Sequence, residues 1–256
     1  MPESDAALLT EAVLAAGKLA LRYWRKIPKS WEKPDGTGPV TEADIAVNDL
    51  LLAALSKARP AYGWLSEETP DGPARLLQTH CFILDPIDGT RAFMAGEEHF
   101  AVSLAVADQG LVTAAVVYLP VLDLLYAATA DGPALRNGHP IHCSTRAALD
   151  GATLLASRPA LAPEHWRIPP PVKRAFRASL AYRLCLVADG SFDTMLTLRD
   201  TWEWDVAAGV LIAQRAGAVV SDRHGAALAF NRERPQVAGV MTAPPALHQA
   251  LLGHLA

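Results

Sequence analysis

Four apolar runs, the second and third joined by a tight polar turn, constrain this chain more than any other feature. They are CFILD at Cys81–Asp85, FAVSLAVA at Phe100–Ala107, LVTAAVVY at Leu111–Tyr118 and VLDLLYAAT at Val121–Thr129. Short apolar runs bounded by turn residues read as strands, and the Asp108-Gln109-Gly110 turn makes the second and third an antiparallel hairpin. The Asn137-Gly138 pair extends the meander.

Helical patterns lie on both sides of it. Leu8, Leu9, Val13, Leu14, Leu19 and Leu21 form a stripe at helical spacing within Asp5–Lys26, ending near Pro28. After a Pro/Gly-rich loop at Trp31–Pro39, Thr41 predicts the N-cap of a helix running to Lys57. The Pro-rich stretch Arg158–Pro171 is the best internal boundary. Beyond it the pattern predicts helices over 179–188 and 204–216, strands over 218–221 and 237–242, and a C-terminal helix. Helices interleaved with an antiparallel meander predict a layered α/β (α+β) architecture rather than a Rossmann sheet, and no GxGxxG fingerprint is present. A length of 256 residues allows one large domain or two compact lobes.

Charge narrows the partners. Lys plus Arg is 23 against 27 for Asp plus Glu, a formal balance of −4. That balance argues against a nucleic-acid polymer or an anionic membrane surface as partner, because both need excess positive charge. It leaves room for an anionic substrate, since bound divalent metals supply positive charge locally. Cys81, Cys143 and Cys185 have no CxxC spacing and read as buried thiols in a reducing compartment. The acidic start MPESDAALLTEAV lacks the positive region of a signal peptide, and no apolar stretch reaches transmembrane length. A soluble, cytoplasmic protein is expected.

Acidic residues gather where strands and helices end. LDPIDGT, Leu84–Thr90, places Asp85 and Asp88 just after an apolar strand, with Pro86 fixing the backbone and Gly89 allowing a sharp turn. Thr90 can cap a helix beginning RAFMA, whose free N–H groups suit a phosphate. Asp-Pro and Asp-Gly are also common turn formers, so both aspartates have a purely structural reading. SEET at Ser66–Thr69 sets Glu67 and Glu68 after an apolar run; by itself Glu68 reads as part of an exposed loop. WEWDVAAG at Trp202–Gly209 opens a helix with Asp205, which a plain N-cap would also explain. Together with Asp44 in TEAD, these residues supply several hard oxygen ligands on separate elements, a set suited to magnesium and phosphate oxygens. His99 and His142 lie in strand-like segments and read as structural.

TEAD, SEET, LDPIDGT and WDVAAG occur here in the order found in the inositol monophosphatase superfamily, which the chain resembles over nearly its whole length. These are magnesium-dependent, lithium-sensitive phosphatases. They include inositol monophosphatases, 3′(2′),5′-bisphosphate nucleotidases and fructose-1,6-bisphosphatases. The resemblance implies a layered αβαβα sandwich with a phosphatase lobe at 1–150, a smaller lobe at 151–256 that completes the site, and a homodimer. It implies two or three Mg²⁺: one on Glu67, Asp85 and the carbonyl of Ile87, a second between Asp85, Asp88 and Asp205, and a weaker third near Glu67 reaching Asp44 through water. Gly89 and Thr90 would hold the phosphate through backbone amides. Thr90, hydrogen-bonded to Asp44 and helped by Glu67, would orient the attacking water, and Asp205 would lie beside the leaving group.

The resemblance ranks the substrates, all small phosphorylated metabolites. Inositol monophosphatases typically carry a glutamate six residues before the motif tryptophan; here that position is Leu198. Bisphosphate nucleotidases resemble this chain in Glu203-Trp204-Asp205 and in a cation two residues before a helical cysteine, here Arg183 before Cys185. Arg183 would then bind a second phosphate, unless it is a surface residue lying over an apolar helix. The expected order is 3′-phosphoadenosine 5′-phosphate first, inositol monophosphate second and fructose-1,6-bisphosphate third. A scaffold or regulatory protein with a structural metal is the non-enzymatic alternative.

Overall fold

The structure is a computed structural model that describes residues 4–33, 36 and 38–256. Pro34, Asp35 and Thr37 of the expected Trp31–Pro39 loop lie outside the described residues, as does the acidic Glu3.

Two helices precede the main sheet. α1 spans Asp5–Tyr23, three residues shorter than expected, and α2 spans Glu42–Ala58. Thr41 caps α2 as predicted, in a capping box with Asp44. A small pair, β1 (Ser30–Glu32) and β2 (Pro39–Thr41), lies between them. Next come β3 (Gly63–Ser66), β4 (His80–Asp88), the short α3 (Thr90–Met94), β5 (Ala101–Asp108), β6 (Leu111–Leu119), β7 (Leu124–Thr129), β8 (Leu135–Arg136) and β9 (His139–Pro140). These strands form one seven-stranded sheet in sequence order, antiparallel except for β3 beside β4. The meander read from the sequence is therefore its centre.

The C-terminal half builds a second sheet. β10 (Thr153–Ala156), β11 (Lys173–Ala175), α4 (Leu180–Ala188), β12 (Thr194–Thr197), β13 (Thr201–Trp202), α5 (Glu203–Arg215), β14 (Val219–Ser221), β15 (Gln236–Val237), β16 (Val240–Ala243) and α6 (Pro245–His254) follow in order. The five-stranded sheet runs β11-β10-β12-β16-β14. The strand expected over 237–242 is broken at Gly239, whose φ of +73° and approach to the Thr197 carbonyl leave no place for a Cβ.

Alternation along the strands explains the layers. Phe82, Leu84, Val102, Leu104, Val106, Val116 and Tyr118 face α1 and α2. Cys81, Ile83, Ala101, Ala105, Ala107, Ala115 and Val117 face α4 and α5. The far side of those helices meets Leu155, Met195 and Val240 of the second sheet, whose other face packs on Leu247 and Leu251 of α6. The order is helix, sheet, helix, sheet, helix: the αβαβα sandwich.

The two faces of β5 differ in bulk. Val102, Leu104 and Val106 are large, whereas Ala101, Ser103, Ala105 and Ala107 are small. α5 answers with Ala207 and Ala208 in the same core, so small meets small and the helix lies close to the sheet, while Gly209 makes room for the Leu184 side chain of α4. Ala105→Leu is expected to wedge α5 away and destabilise the fold by about 1–3 kcal/mol, read by urea unfolding. A variant as stable as the parent would mean that this interface has slack.

Candidate active site

The same alternation places the acidic side chains. Glu67 follows Leu65 by two residues, and Asp85 follows Ile83 by two, so both point to the α5 face. The Glu67 amide donates to the Leu84 carbonyl at 3.2 Å, which carries the β3–β4 ladder one step past β3. Opposite Asp85 on β5 is Ser103, whose hydroxyl donates to the Trp204 carbonyl in the first turn of α5 at 3.3 Å. That contact seats the helix start on the sheet and brings in Asp205. Ligand oxygens of Glu67, Asp85 and Asp205 all lie within 4.8 Å of one another.

Beyond Asp85 the strand shifts register before Asp88, so β4 runs through the motif instead of stopping ahead of it. The Ile87 amide donates to Asp85 Oδ1 at 3.0 Å. Asp88 Oδ2 accepts from Ser179 Oγ at 2.7 Å and from the Ala181 amide at 2.6 Å, tying the start of α4 to β4. Gly89, at φ +102°, is the N-cap of α3. Thr90 is therefore the first helical residue and not the cap expected from the sequence. Its hydroxyl lies 3.2 Å from both Asp44 Oδ1 and the Ile87 carbonyl. Asp44 Oδ2 in turn accepts from the Thr41 amide at 2.9 Å. The plain N-cap explanation of Asp205 also falls, because Trp202 holds that position.

Electrostatics oppose this gathering. Burial, then repulsion from neighbouring carboxylates, raises Asp85 and Asp205 well above the usual range. Burial also lifts Asp44 and Asp88 to about 6, against the hydrogen bonds that favour their ionised forms. One answering cation is Lys33, with Nζ 2.7 Å from Glu67 Oε1 and 2.8 Å from Glu68 Oε1. Glu68 is thus no exposed loop residue: its side chain is buried, and burial raises it to about 7.

A cavity of about 360 Å³ opens beside these groups, lined among others by Gly89, Thr90, Arg91, Phe176, Arg183 and Arg199. Arg183 is 5 % exposed, which overturns its reading as a surface residue. Nε donates to the Arg177 carbonyl at 2.6 Å, and the guanidinium carbon lies 4.5 Å above the Phe176 ring. Burial lowers its pKa to about 10. Leu198 does not line the cavity, but its neighbour Arg199 does. Outside the cavity, His99 stacks on Tyr182, and the thiols of Cys81 and Cys185 are buried, with Cys143 half-buried.

Sequence reasoning missed Lys33, Ser103, Ser179 and Arg199. Ser179 alone left a local signal, as a serine ahead of an apolar helical run; Lys33 and Ser103 meet partners far away in the chain, and Arg199 reaches the cavity only through the fold.

The family model described as the inositol monophosphatase family matches residues 1–256. The chain belongs to this family. It is 33% identical over 233 residues to an inositol-1-monophosphatase of Mesorhizobium japonicum, covering 85% of each chain. It is also 33% identical to the Nus factor SuhB of Pseudomonas aeruginosa, over 84% of this chain and 83% of that one. Among solved structures, the extragenic suppressor protein suhB of Bartonella henselae superposes with a TM-score of 0.82 at 26% identity, over 96% of both chains. Members of the family are metal-dependent phosphatases that hydrolyse phosphate monoesters, and this chain is one of them. No helix among the described residues is long and apolar enough to cross a membrane.

The donor set fits the metal requirement of that family. It is all carboxylate, it is crowded against its own repulsion, and it contains neither histidine nor cysteine, which suits a hard divalent ion. Raised carboxylate pKa values mean that the metal-free fold resists ionisation, so its stability is greatest below the unfolded-state pKa and falls as pH rises through the folded-state values. Cation binding requires the ionised forms. The rise in Tm on adding a divalent cation is therefore expected to be larger at about pH 8 than at about pH 5.5, by thermal-shift measurement. Equal increments at both pH values would contradict a carboxylate-held ion.

Proposed function

We propose that this protein is a magnesium-dependent phosphatase of a small polyol phosphate, with inositol 1-phosphate as its leading substrate. The observation that carries this is the convergence of Glu67, Asp85 and Asp205 beside a cavity large enough for a sugar-sized phosphate ester. The substrate rests on the name of relatives such as the Mesorhizobium enzyme.

Glu67, Asp85, the Ile87 carbonyl, Asp88 and Asp205 would hold the magnesium ions, which supply positive charge to the phosphate and make a nearby water more acidic. Gly89 and Thr90, which line the cavity, would offer their backbone amides to the phosphate. The Thr90 hydroxyl donates to Asp44, which leaves its own lone pairs to accept from the attacking water and hold it in line with phosphorus. Asp44, at about 6, is poised to take up a proton near neutrality. Asp205, in the first turn of α5, would lie beside the leaving alkoxide and help protonate it through water. No covalent phosphoenzyme is needed.

The nucleotidase order expected from sequence leaned on Glu203 and Arg183, and both have other work in the fold. Glu203 accepts from the Asn231 and Arg232 amides, and Arg183 donates to the Arg177 carbonyl. Inositol phosphate therefore moves ahead. A bisphosphate nucleotide stays as the second reading for one reason: Arg183 and Arg199 both line the cavity and could hold a second phosphate.

Phosphate release in Mg²⁺ from inositol 1-phosphate, adenosine 3′,5′-bisphosphate and fructose-1,6-bisphosphate tests the order. Inositol 1-phosphate is expected to give the highest kcat/KM; a lead for the nucleotide would establish the second reading, and release that persists in chelator would contradict the metal role. Thr90→Ala is expected to lower kcat by about 100-fold with KM nearly unchanged. An effect confined to KM would make Thr90 a binding residue only. If the nucleotide leads, Arg199→Ala should cut its kcat/KM by roughly 10- to 100-fold and spare inositol 1-phosphate.

A further inference from the structure

Glu67 and Asp85 are held at a fixed separation by the β3–β4 ladder, but Asp205 arrives on a helix 120 residues beyond Asp85 in sequence. Something must set where that helix begins. Glu203, its first residue, is fully buried, and its carboxylate accepts from the Asn231 amide at 2.6 Å and the Arg232 amide at 3.1 Å. The Glu203 amide donates to the Pro235 carbonyl at 3.0 Å, so the 231–235 segment wraps the helix start.

The same segment is gripped from the other side by Arg75. Its Nη1 donates to Asn231 Oδ1 at 2.7 Å and its Nη2 to the Arg232 carbonyl at 2.8 Å. Nε and Nη2 also hold both oxygens of Asp71, at 2.7 and 2.8 Å, which fixes the plane of the guanidinium. Arg75 is 4 % exposed, and its backbone lies so close to Gly63, the first residue of β3, that a Cβ there would sit 3.0 Å from the Arg75 Cα. A continuous path of contacts therefore runs from the base of β3, which carries Glu67 just past its end, through Arg75, the 231–232 backbone and Glu203 to the turn that carries Asp205.

We propose that Arg75 is a positioning residue of the metal centre: it sets the spacing between Glu67 and Asp205 without touching metal or substrate. A magnesium-sized ion demands short, nearly octahedral oxygen ligands, so a small shift of α5 weakens binding. Lysine at 75 keeps the charge but loses the planar fork that reaches three partners at once. The inference rests on the carboxylate cluster binding a divalent ion.

The test is Mn²⁺ binding by calorimetry on the full chain, paired with Tm. Arg75→Met is expected to raise the Kd at least 10-fold, as lost support of metal ligands commonly does, and Arg75→Lys by several-fold. Asn231→Ala, which removes a single bond of the clamp, should move the Kd the same way by about threefold. Arg136→Ala breaks the Arg136–Asp189 ion pair outside the cavity and should leave the Kd within about twofold even if Tm falls. A Kd unchanged in Arg75→Met, with Tm lowered, would make Arg75 a purely structural residue and overturn the proposal. Should Arg75→Met fail to fold, an unchanged Kd in Asn231→Ala overturns it. A parent protein that binds no Mn²⁺ overturns the metal centre itself and this inference with it.

Discussion

Carboxylates crowded within 4.8 Å repel one another, and the architecture around them is arranged to hold them against that repulsion. Two unit charges 4 Å apart interact by about 4 kcal/mol at an effective dielectric of 20, so the cluster is unfavourable on its own account. What holds it is the sheet. Side-chain alternation sends Glu67 and Asp85 to one face, and the small residues of β5 let α5 approach that face closely. Lys33 offsets part of the charge on Glu67 and Glu68. The remaining demand for positive charge is met most simply by a divalent ion, and phosphate-ester hydrolysis makes use of the same positive charge.

Much of this was legible in the sequence because its signals are local. Thr41 announced the start of α2, the Gln109-Gly110 and Asn137-Gly138 turns announced the hairpins, and the acidic motifs announced the carboxylates of Glu67, Asp85 and Asp205 that the fold brings together. The second sheet was harder. β10 and β12 are four residues each, too short for periodicity to show, and the break at Gly239 answers to a backbone carbonyl from β12. Arg183 was open between a phosphate ligand and a surface residue, and only the fold, which buries it between the Arg177 carbonyl and the Phe176 ring, removes the surface reading. Lys33 and Ser103 left no local mark, since each acts on residues brought near by folding, and the local Asp71–Arg75 pair gives no hint of the distant 231–232 backbone that Arg75 also holds.

Glu67, Asp85, Asp88, Asp205, Gly89 and Thr90 all line one cavity, which sets the acidic cluster of the proposed reaction beside the space for a substrate. Phe176, Arg183 and Arg199 line the same cavity, and Leu198, at the position where an inositol-binding glutamate was expected, does not. A wall with two guanidinium groups favours an anionic or hydroxyl-rich ligand and disfavours an apolar one.

The most direct measurement is the anomalous difference density of a crystal grown or soaked in Mn²⁺. The account predicts density bounded by the carboxylates of Glu67, Asp85 and Asp205, with the Lys33 ammonium displaced from Glu67. Ordered carboxylates with no metal density among them at millimolar Mn²⁺, or density only elsewhere on the molecule, would contradict it.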